Sequence, residues 1–237
     1  MQLLNLLLPT LEENLALEEA LLDEAESANE PRETLRVWEW PTDAVILGRA
    51  SELQREVNLA ACEAAAVPVL RRASGGCAVV IGPGCLLFSV VLSYAQRPEL
   101  QVIDEAHRYV LDCVRRAIAR EDVAFQGICD LTWQGRKFSG NSLRCKRTHL
   151  LYHGTLLYNF DLRKAAAYLL TPPREPEYRA GREHLEFITN LPVQANLLRQ
   201  QLPLAFGVTS ERDTLPQALL QTFLAEKYQR PEWHRQR

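Results

Sequence analysis

Arg71, Arg72, Ala73, Ser74, Gly75 and Gly76 stand between two apolar runs in the stretch Val69 to Ser89, VLRRASGGCAVVIGPGCLLFS. A guanidinium matches a phosphate or a carboxylate bidentately. Two glycines admit positive φ and let backbone come close to a ligand. Successive N–H groups in such a turn form an anion-binding nest. The chemistry predicted here is capture of a ligand that carries a phosphate or a carboxylate. The same residues also suit a glycine hairpin with two surface arginines, and a short glycine turn alone does not decide between the two. Neighbours on a regular strand alternate faces, so Arg71 and Arg72 are not expected to enter one pocket together.

The elements that must hold this turn follow from periodicity. Val67 to Leu70 and Ala78 to Ile81 predict strand, turn, strand. Before it, Leu3 to Leu8 predicts a first strand ended by Pro9. From Thr10, LEENLALEEALLDEAE has helical spacing, with leucines on one face and acids on the other. Thr10 and Glu13 have the spacing of a capping box. Leu35–Trp40 and Ala44–Leu47 predict two strands joined around Pro41-Thr42-Asp43, and 56–66 predicts a helix. After the turn, Cys85–Leu92 predicts a strong strand and Gln101–Arg120 the longest helix. Val123–Gln126 is a short strand. Cys129–Trp133 and Arg136–Leu143 predict a hairpin around Gln134-Gly135. His149–Phe160 predicts a strand pair, or one long strand, broken near Gly154. A short helix over Arg163–Leu170 and a proline-rich loop over 171–182 follow. The rest predicts two or three short helices with boundaries at Pro203 and Pro216. Antiparallel strand clusters between helices predict an α+β fold, with no linker that would split the chain.

Composition narrows the classes. The 237 residues are 47% hydrophobic and 24% charged, ordinary for a globular protein. A net charge of −3 gives no basic field for nucleic acid. The six cysteines are not paired as CxxC and have no histidine at zinc spacing, so no metal site is expected. A reducing cytoplasm is the simplest setting for them. MQLLNLLLPT lacks the charged start and the length of a signal peptide. No run approaches the ~20 apolar residues of a membrane span.

Two more stretches hold reactive types: Asp130 to Asn141, DLTWQGRKFSGN, and His153 to Leu157, HGTLL. The order RRxSGG, DLxxxGRKFSGN, HGTLL resembles the lipoate–protein ligase A and octanoyltransferase family. NLALEEALL, VWEWPTDAVILGR and REHLEFITNL (Arg182 to Leu191) are similar to that family too. The resemblance covers about residues 10–191. It implies the catalytic-domain fold shared with biotin protein ligases, a mixed, largely antiparallel sheet flanked by helices. It implies one domain over residues 1–237, with a helical tail over 192–237. That tail is too short for the accessory domain of the large two-domain ligases.

By the same resemblance, Arg71, Arg72, Ser74, Gly75 and Gly76 line an acyl-adenylate pocket. Lys137 is the central group, lying between the acyl carboxylate and the α-phosphate, where a compact ammonium with three donors stabilises developing charge. Ser139, Gly140 and Asn141 complete the wall. Asp130 stands where relatives hold metal or ribose, although an aspartate there also caps a hairpin. His153, Gly154 and Thr155 close the pocket beneath the acyl chain. Two departures stand out: the third glycine of the family's turn is Cys77 here, and the histidine usual a few residues later is Ile81.

Two activities compete within the resemblance. The first is an ATP-dependent ligase with lipoate (or octanoate) and ATP as substrates, Mg²⁺ as activator, and a lipoyl-domain lysine as acceptor, with or without a separate accessory chain. The second is an ATP-independent octanoyl or lipoyl transferase that carries the acyl group as a thioester on Cys129, whose thiol Lys137 would activate. Cys129 replaces the asparagine of the NDL-type triplet common in ligases, which favours the first. A non-enzymatic carrier of lipoyl domains would not need the intact polar motif around Lys137.

Overall fold

A computed structural model describes residues 1–236. The strands are β1 (Gln2–Leu4), β2 (Thr34–Glu39), β3 (Ala44–Leu47), β4 (Val69–Arg71), β5 (Val79–Ile81), β6 (Cys85–Ser93), β7 (Val123–Gln126), β8 (Asp130–Trp133), β9 (Arg136–Cys145), β10 (His149–Leu157) and β11 (Ser210–Glu211). The α-helices are α1 (Leu11–Ser27), α2 (Leu53–Glu56), α3 (Leu59–Ala64), α4 (Ile103–Ile118), α5 (Arg163–Tyr168), α6 (His184–Phe187), α7 (Ala195–Ala205), α8 (Gln217–Phe223) and α9 (Pro231–Arg235). Among the described residues the strands form two sheets. One has the order β11-β1-β2-β6-β10-β9-β8-β7, and the other is β4-β3-β5.

The large sheet is antiparallel from β2 to β7, with parallel pairings where β1 joins β2 and β11. Alternation along β6 sends its side chains to opposite faces. Leu86, Phe88, Val90 and Leu92 pack towards α4 and α7. Cys85 and Val91 pack towards α1 and the small sheet. The α+β class and the helix-flanked, mostly antiparallel sheet follow as expected. No helix among the described residues is long and apolar enough to cross a membrane, and all six cysteines are free.

Several elements differ from the sequence reading. β4 and β5 do not form a hairpin, because β3 lies between them, parallel to β4 and antiparallel to β5. The RRASGG turn therefore crosses the end of β3. Likewise β2 and β3 belong to different sheets, so the Pro41 turn carries the chain from one to the other. β10 is one unbroken strand, since Gly154 pairs with both Phe88 and Asn141. β1 stops at Leu4, leaving Leu7 exposed. Pro203 lies inside α7 rather than at its boundary, while Pro216 caps α8.

The α1 helix has its expected capping box at Thr10 and Glu13, but its acids do not form a solvent face. Glu18 and Glu19 are buried, because polar side chains from other elements reach them. Arg144 and Lys227 pair with Glu19, and His153 pairs with Glu18.

Candidate active site

The β8–β9 hairpin turns at Gln134 and Gly135, both with positive φ (51° and 71°), which suits a tight two-residue turn. Between Leu131 and Thr132 the pairing slips by one residue, so Phe138 has no direct opposite. Such a bulge re-aims side chains near it. Here Phe138 enters the core while Lys137 reaches the cleft. The Lys137 ammonium donates to Asp130 Oδ1 at 2.8 Å, and Asp130 Oδ2 accepts from the Tyr178 hydroxyl at 2.7 Å. Burial alone would favour the neutral amine, but the Asp130 carboxylate outweighs it and raises the Lys137 pKa above its ordinary value. Lys137 is thus a fixed cation at neutral pH. Gly140 makes room for it: a Cβ there would stand 2.9 Å from Lys137 Cε and 3.0 Å from Nζ.

His153 projects from β10 between α1 and the glycine turn. Its Nδ1 meets Glu18 Oε2 at 2.6 Å, and its Nε2 contacts Ser74 Oγ. Burial would raise the Glu18 pKa, but His153 and Arg36 outweigh that and hold it below the usual value. An ionised Glu18 only accepts, so Nδ1 of His153 carries a proton. Ser74 Oγ also accepts from Arg72 Nε at 3.1 Å. Helix, strand and turn are thus joined through one imidazole. Gly154 is required beside it, since a Cβ would overlap Asn141 Oδ1 at 1.9 Å.

Arg72 lines the cleft, but most of its donors serve the turn itself. It donates to the carbonyls of Ile46 at 3.0 Å and Cys77 at 3.1 Å, and to that of Gly75. Burial draws its pKa down to about 10, which still leaves it cationic at neutral pH. Arg71 does not line the cleft. It is fully buried on the other side of the strand, where it donates to the carbonyls of Gly48 at 2.7 Å and Ser51 at 2.8 Å. Strand alternation separates the pair, as expected, and gives both guanidinium groups backbone carbonyls to hold.

Two connected cavities open at this point. A narrow one of about 130 Å³ has apolar walls from Leu15, Trp38, Ile46, Ile81, Leu87 and Phe88, with Glu18, Arg72 and His153 as polar groups. A larger one of about 660 Å³ runs past Cys129, Asp130 and Ser139 to the 172–188 segment. Gly76, Cys77, Lys137, Gly140, Asn141 and Thr155 border both. Lys137 therefore stands at the junction. Ser74 and Gly75 support the turn behind this wall, with Gly75 O accepting from Ser142 Oγ at 3.0 Å. Asn141 Nδ2 donates to Cys129 O at 2.7 Å and Ser139 Oγ at 3.0 Å. No group of three His, Cys, Asp or Glu residues that could hold a metal occurs among the described residues.

The Cys129 thiol donates to Asn141 O at 2.9 Å. Burial and the neighbouring Asp130 push its pKa up to about 11, and the opposing pull of Lys137 and Arg72 does not offset them. The thiol is protonated at neutral pH.

Sequence reasoning missed Glu18 and Tyr178. Glu18 was hidden among the acids of an amphipathic-looking helix. Tyr178 sits in a proline-rich segment read only as loop. The pairing of Glu18 with an imidazole 135 residues away leaves no local signal.

The chain belongs to the lipoyl protein ligase A/B catalytic-domain family, whose model matches residues 10–203. Among its relatives is a Mycoplasma pneumoniae protein described as "Probable lipoate-protein ligase A". It is 34% identical over 156 residues, which is 66% of this chain and 45% of that protein. The chain spans about half the length of the curated relatives it matches, 45% of that one and 54% of one from Aeropyrum pernix. Similar solved folds include a chain of the bi-partite lipoate protein ligase of Thermoplasma acidophilum, studied with its E2 lipoyl domain. That match has a TM-score of 0.84 at 22% identity, over 99% of this chain and 95% of that one. A lipoate-protein ligase A bound with ATP matches with a TM-score of 0.80 at 22% identity, over 99% of each chain. At that identity the likeness is one of fold.

Proposed function

We propose that this protein is an ATP-dependent lipoate–protein ligase. The observation that carries the reading is the position of the Lys137 ammonium, at the junction of a small apolar-walled cavity and a larger one that Asp130, Ser139 and Arg174 also border. The narrow cavity suits an eight-carbon acyl chain, and the larger one suits a nucleotide. Family membership and a relative solved with ATP support the assignment.

In this reading the lipoate (or octanoate) carboxylate attacks the α-phosphorus of ATP. A carboxyl–phosphorus bond forms and pyrophosphate leaves with the electrons of the broken P–O bond. Magnesium enters with the ATP phosphates as part of the substrate. Lys137 holds the carboxylate and α-phosphate together and offsets charge building on both, an electrostatic contribution that needs no proton transfer. Asp130 keeps the ammonium protonated and aimed. Arg72, Ser74, Gly75 and Gly76 shape the turn beside the adenylate, and Arg71 supports it from behind. Ser139, Gly140 and Asn141 form the opposite wall, while His153, Gly154 and Thr155 close the floor. A lysine amine of a lipoyl domain then attacks the acyl carbon, AMP leaves, and the amine's extra proton passes to solvent.

An accessory chain that assists adenylate formation is compatible with this scheme, and a bi-partite ligase is among the similar folds. Residues 1–237 are read as one catalytic domain with a helical tail. The Cys129 transferase is disfavoured by the protonated, hydrogen-bonded thiol.

The test is lipoylation of an acceptor domain with pyrophosphate release, run beside a thermal melt. Lys137→Ala should lose at least about 10²-fold in rate, the scale of a lost preorganised charge, and still melt cooperatively. Full activity in the folded variant would remove Lys137 from the reaction.

A further inference from the structure

The family match ends at residue 203, yet the segment beyond it reaches the residue next to the glycine turn. Among the described residues β4 is an edge strand that pairs with β3 alone. An edge strand leaves backbone groups open on its outer side. At Arg71 those groups are taken up by side chains of α9. The Arg71 N–H donates to His234 Nδ1 at 2.9 Å, and the Arg71 carbonyl accepts from Trp233 Nε1 at 2.9 Å. Two side chains thus imitate a missing strand. The Arg71 guanidinium returns the contact, donating to the carbonyls of Trp233 and His234, both at 3.2 Å.

The same guanidinium donates to Gly48 and Ser51, and the 48–51 loop holds the turn directly. The Arg49 N–H donates to Ser74 O at 2.7 Å, and Ser51 Oγ donates to Gly76 O at 3.2 Å. A Cβ at Gly48 would overlap Gly76 O at 1.8 Å, so loop and turn are in close contact. Arg71 is therefore a hub that links α9 to the loop and the loop to the turn. Because Nδ1 of His234 accepts, its Nε2 must carry the proton, and it donates to Tyr228 O at 2.8 Å. Tyr228 in turn donates to Glu19, the neighbour of the Glu18 that holds His153.

We infer that Trp233 and His234 are positioning residues, which set the RRASGG turn in its ligand-binding shape through Arg71. The functional half of this inference rests on the ligase reading; the structural half does not. Neither residue borders the cleft cavities, so their effect on a ligand must pass through the turn.

The experiment compares the full chain with Trp233→Phe, His234→Leu and His234→Asn. Trp233→Phe removes the indole donor while keeping an aromatic ring beside Lys227 and Tyr228, and His234→Asn keeps an acceptor near Nδ1. Hydrogen exchange at 71–76 and 48–51 is measured with the thermal melt, followed by calorimetric binding of a non-hydrolysable lipoyl-adenylate analogue. Trp233→Phe and His234→Leu should speed exchange in both segments and weaken binding by about tenfold, the scale of one hydrogen bond. His234→Asn should recover most of the affinity. Should His234→Leu not fold, Trp233→Phe against the full chain carries the same comparison. Unchanged exchange at 71–76 in a cooperatively folded variant would overturn the inference, as would affinity that tracks only the folded fraction. If the wild-type chain binds no analogue, the ligase reading fails, and the exchange comparison still decides whether Trp233 and His234 set the turn.

Discussion

A lysine that bridges two anionic groups needs both a fixed charge and a clear path. Asp130 supplies the first for Lys137 and Gly140 the second. Gly140→Ala tests the second separately. Its Cβ meets only the flexible end of Lys137, so the ammonium moves while the strand stays. The expected outcome is a loss of about tenfold or more in kcat, the sensitivity of an electrostatic site to misplacement. The thermal midpoint should change little, and steady-state kinetics beside a melt reads both. Much of this scale was legible in the sequence. Lys137, Asp130 and Gly140 fall in one contiguous motif, so their meeting needs only a hairpin. Glu18 was not legible, because its partner His153 comes from a distant strand and its helix neighbours are equally acidic.

The elements explain why two adjacent arginines serve different ends. β4 sends its last residue, Arg71, towards the loop and α9, and Arg72, just beyond it, turns towards the cleft. Arg71→Ala removes a buried donor to the carbonyls of Gly48, Ser51, Trp233 and His234 and should cost about 2–4 kcal/mol of stability. Arg72→Ala should show first as weaker binding of a lipoyl-adenylate analogue. Denaturation and calorimetry on both variants separate the effects, and equal losses on both measures would contradict the division. The order strand, turn, strand could be read from alternating apolar runs. The insertion of β3 between β4 and β5 could not, since strand pairing is set by non-local contacts that leave no mark on periodicity. For the same reason the chain crossing from one sheet to the other at Pro41 reads in sequence as a simple turn.

Across the whole molecule, α1 ties the large sheet, the glycine turn and the tail together through two buried carboxylates. Glu18 is held below the ordinary glutamate pKa of 4.5 by His153 and Arg36, against the opposing effect of burial. A carboxylate lowered in the folded state contributes stability above its unfolded pKa and loses it as pH falls through the folded value. The wild-type protein should therefore lose stability as pH falls below about 4.5, and part of that loss should be missing in Glu18→Gln, which is less stable at pH 7. Denaturant titrations across pH 3–7 check this, and parallel pH profiles would contradict it. The α+β class was legible from strand clusters between helices, and the region of the cleft from three short motifs. The tail's role was not, because the contacts of Trp233 and His234 lie 162 and 163 residues away along the chain. In the proposed ligase reaction, acyl transfer proceeds through an adenylate and not through a cysteine thioester. The most direct measurement is intact mass spectrometry of a lipoyl-domain acceptor and of the enzyme, for wild type and Cys129→Ser. Each is incubated with lipoate in the presence or absence of MgATP, and separately with an octanoyl carrier thioester. One lipoyl group is expected on the acceptor only with ATP, at comparable rates for both proteins, with no acyl group on the enzyme. Transfer from the thioester without ATP, with an acyl group on wild-type enzyme and neither in Cys129→Ser, would contradict it.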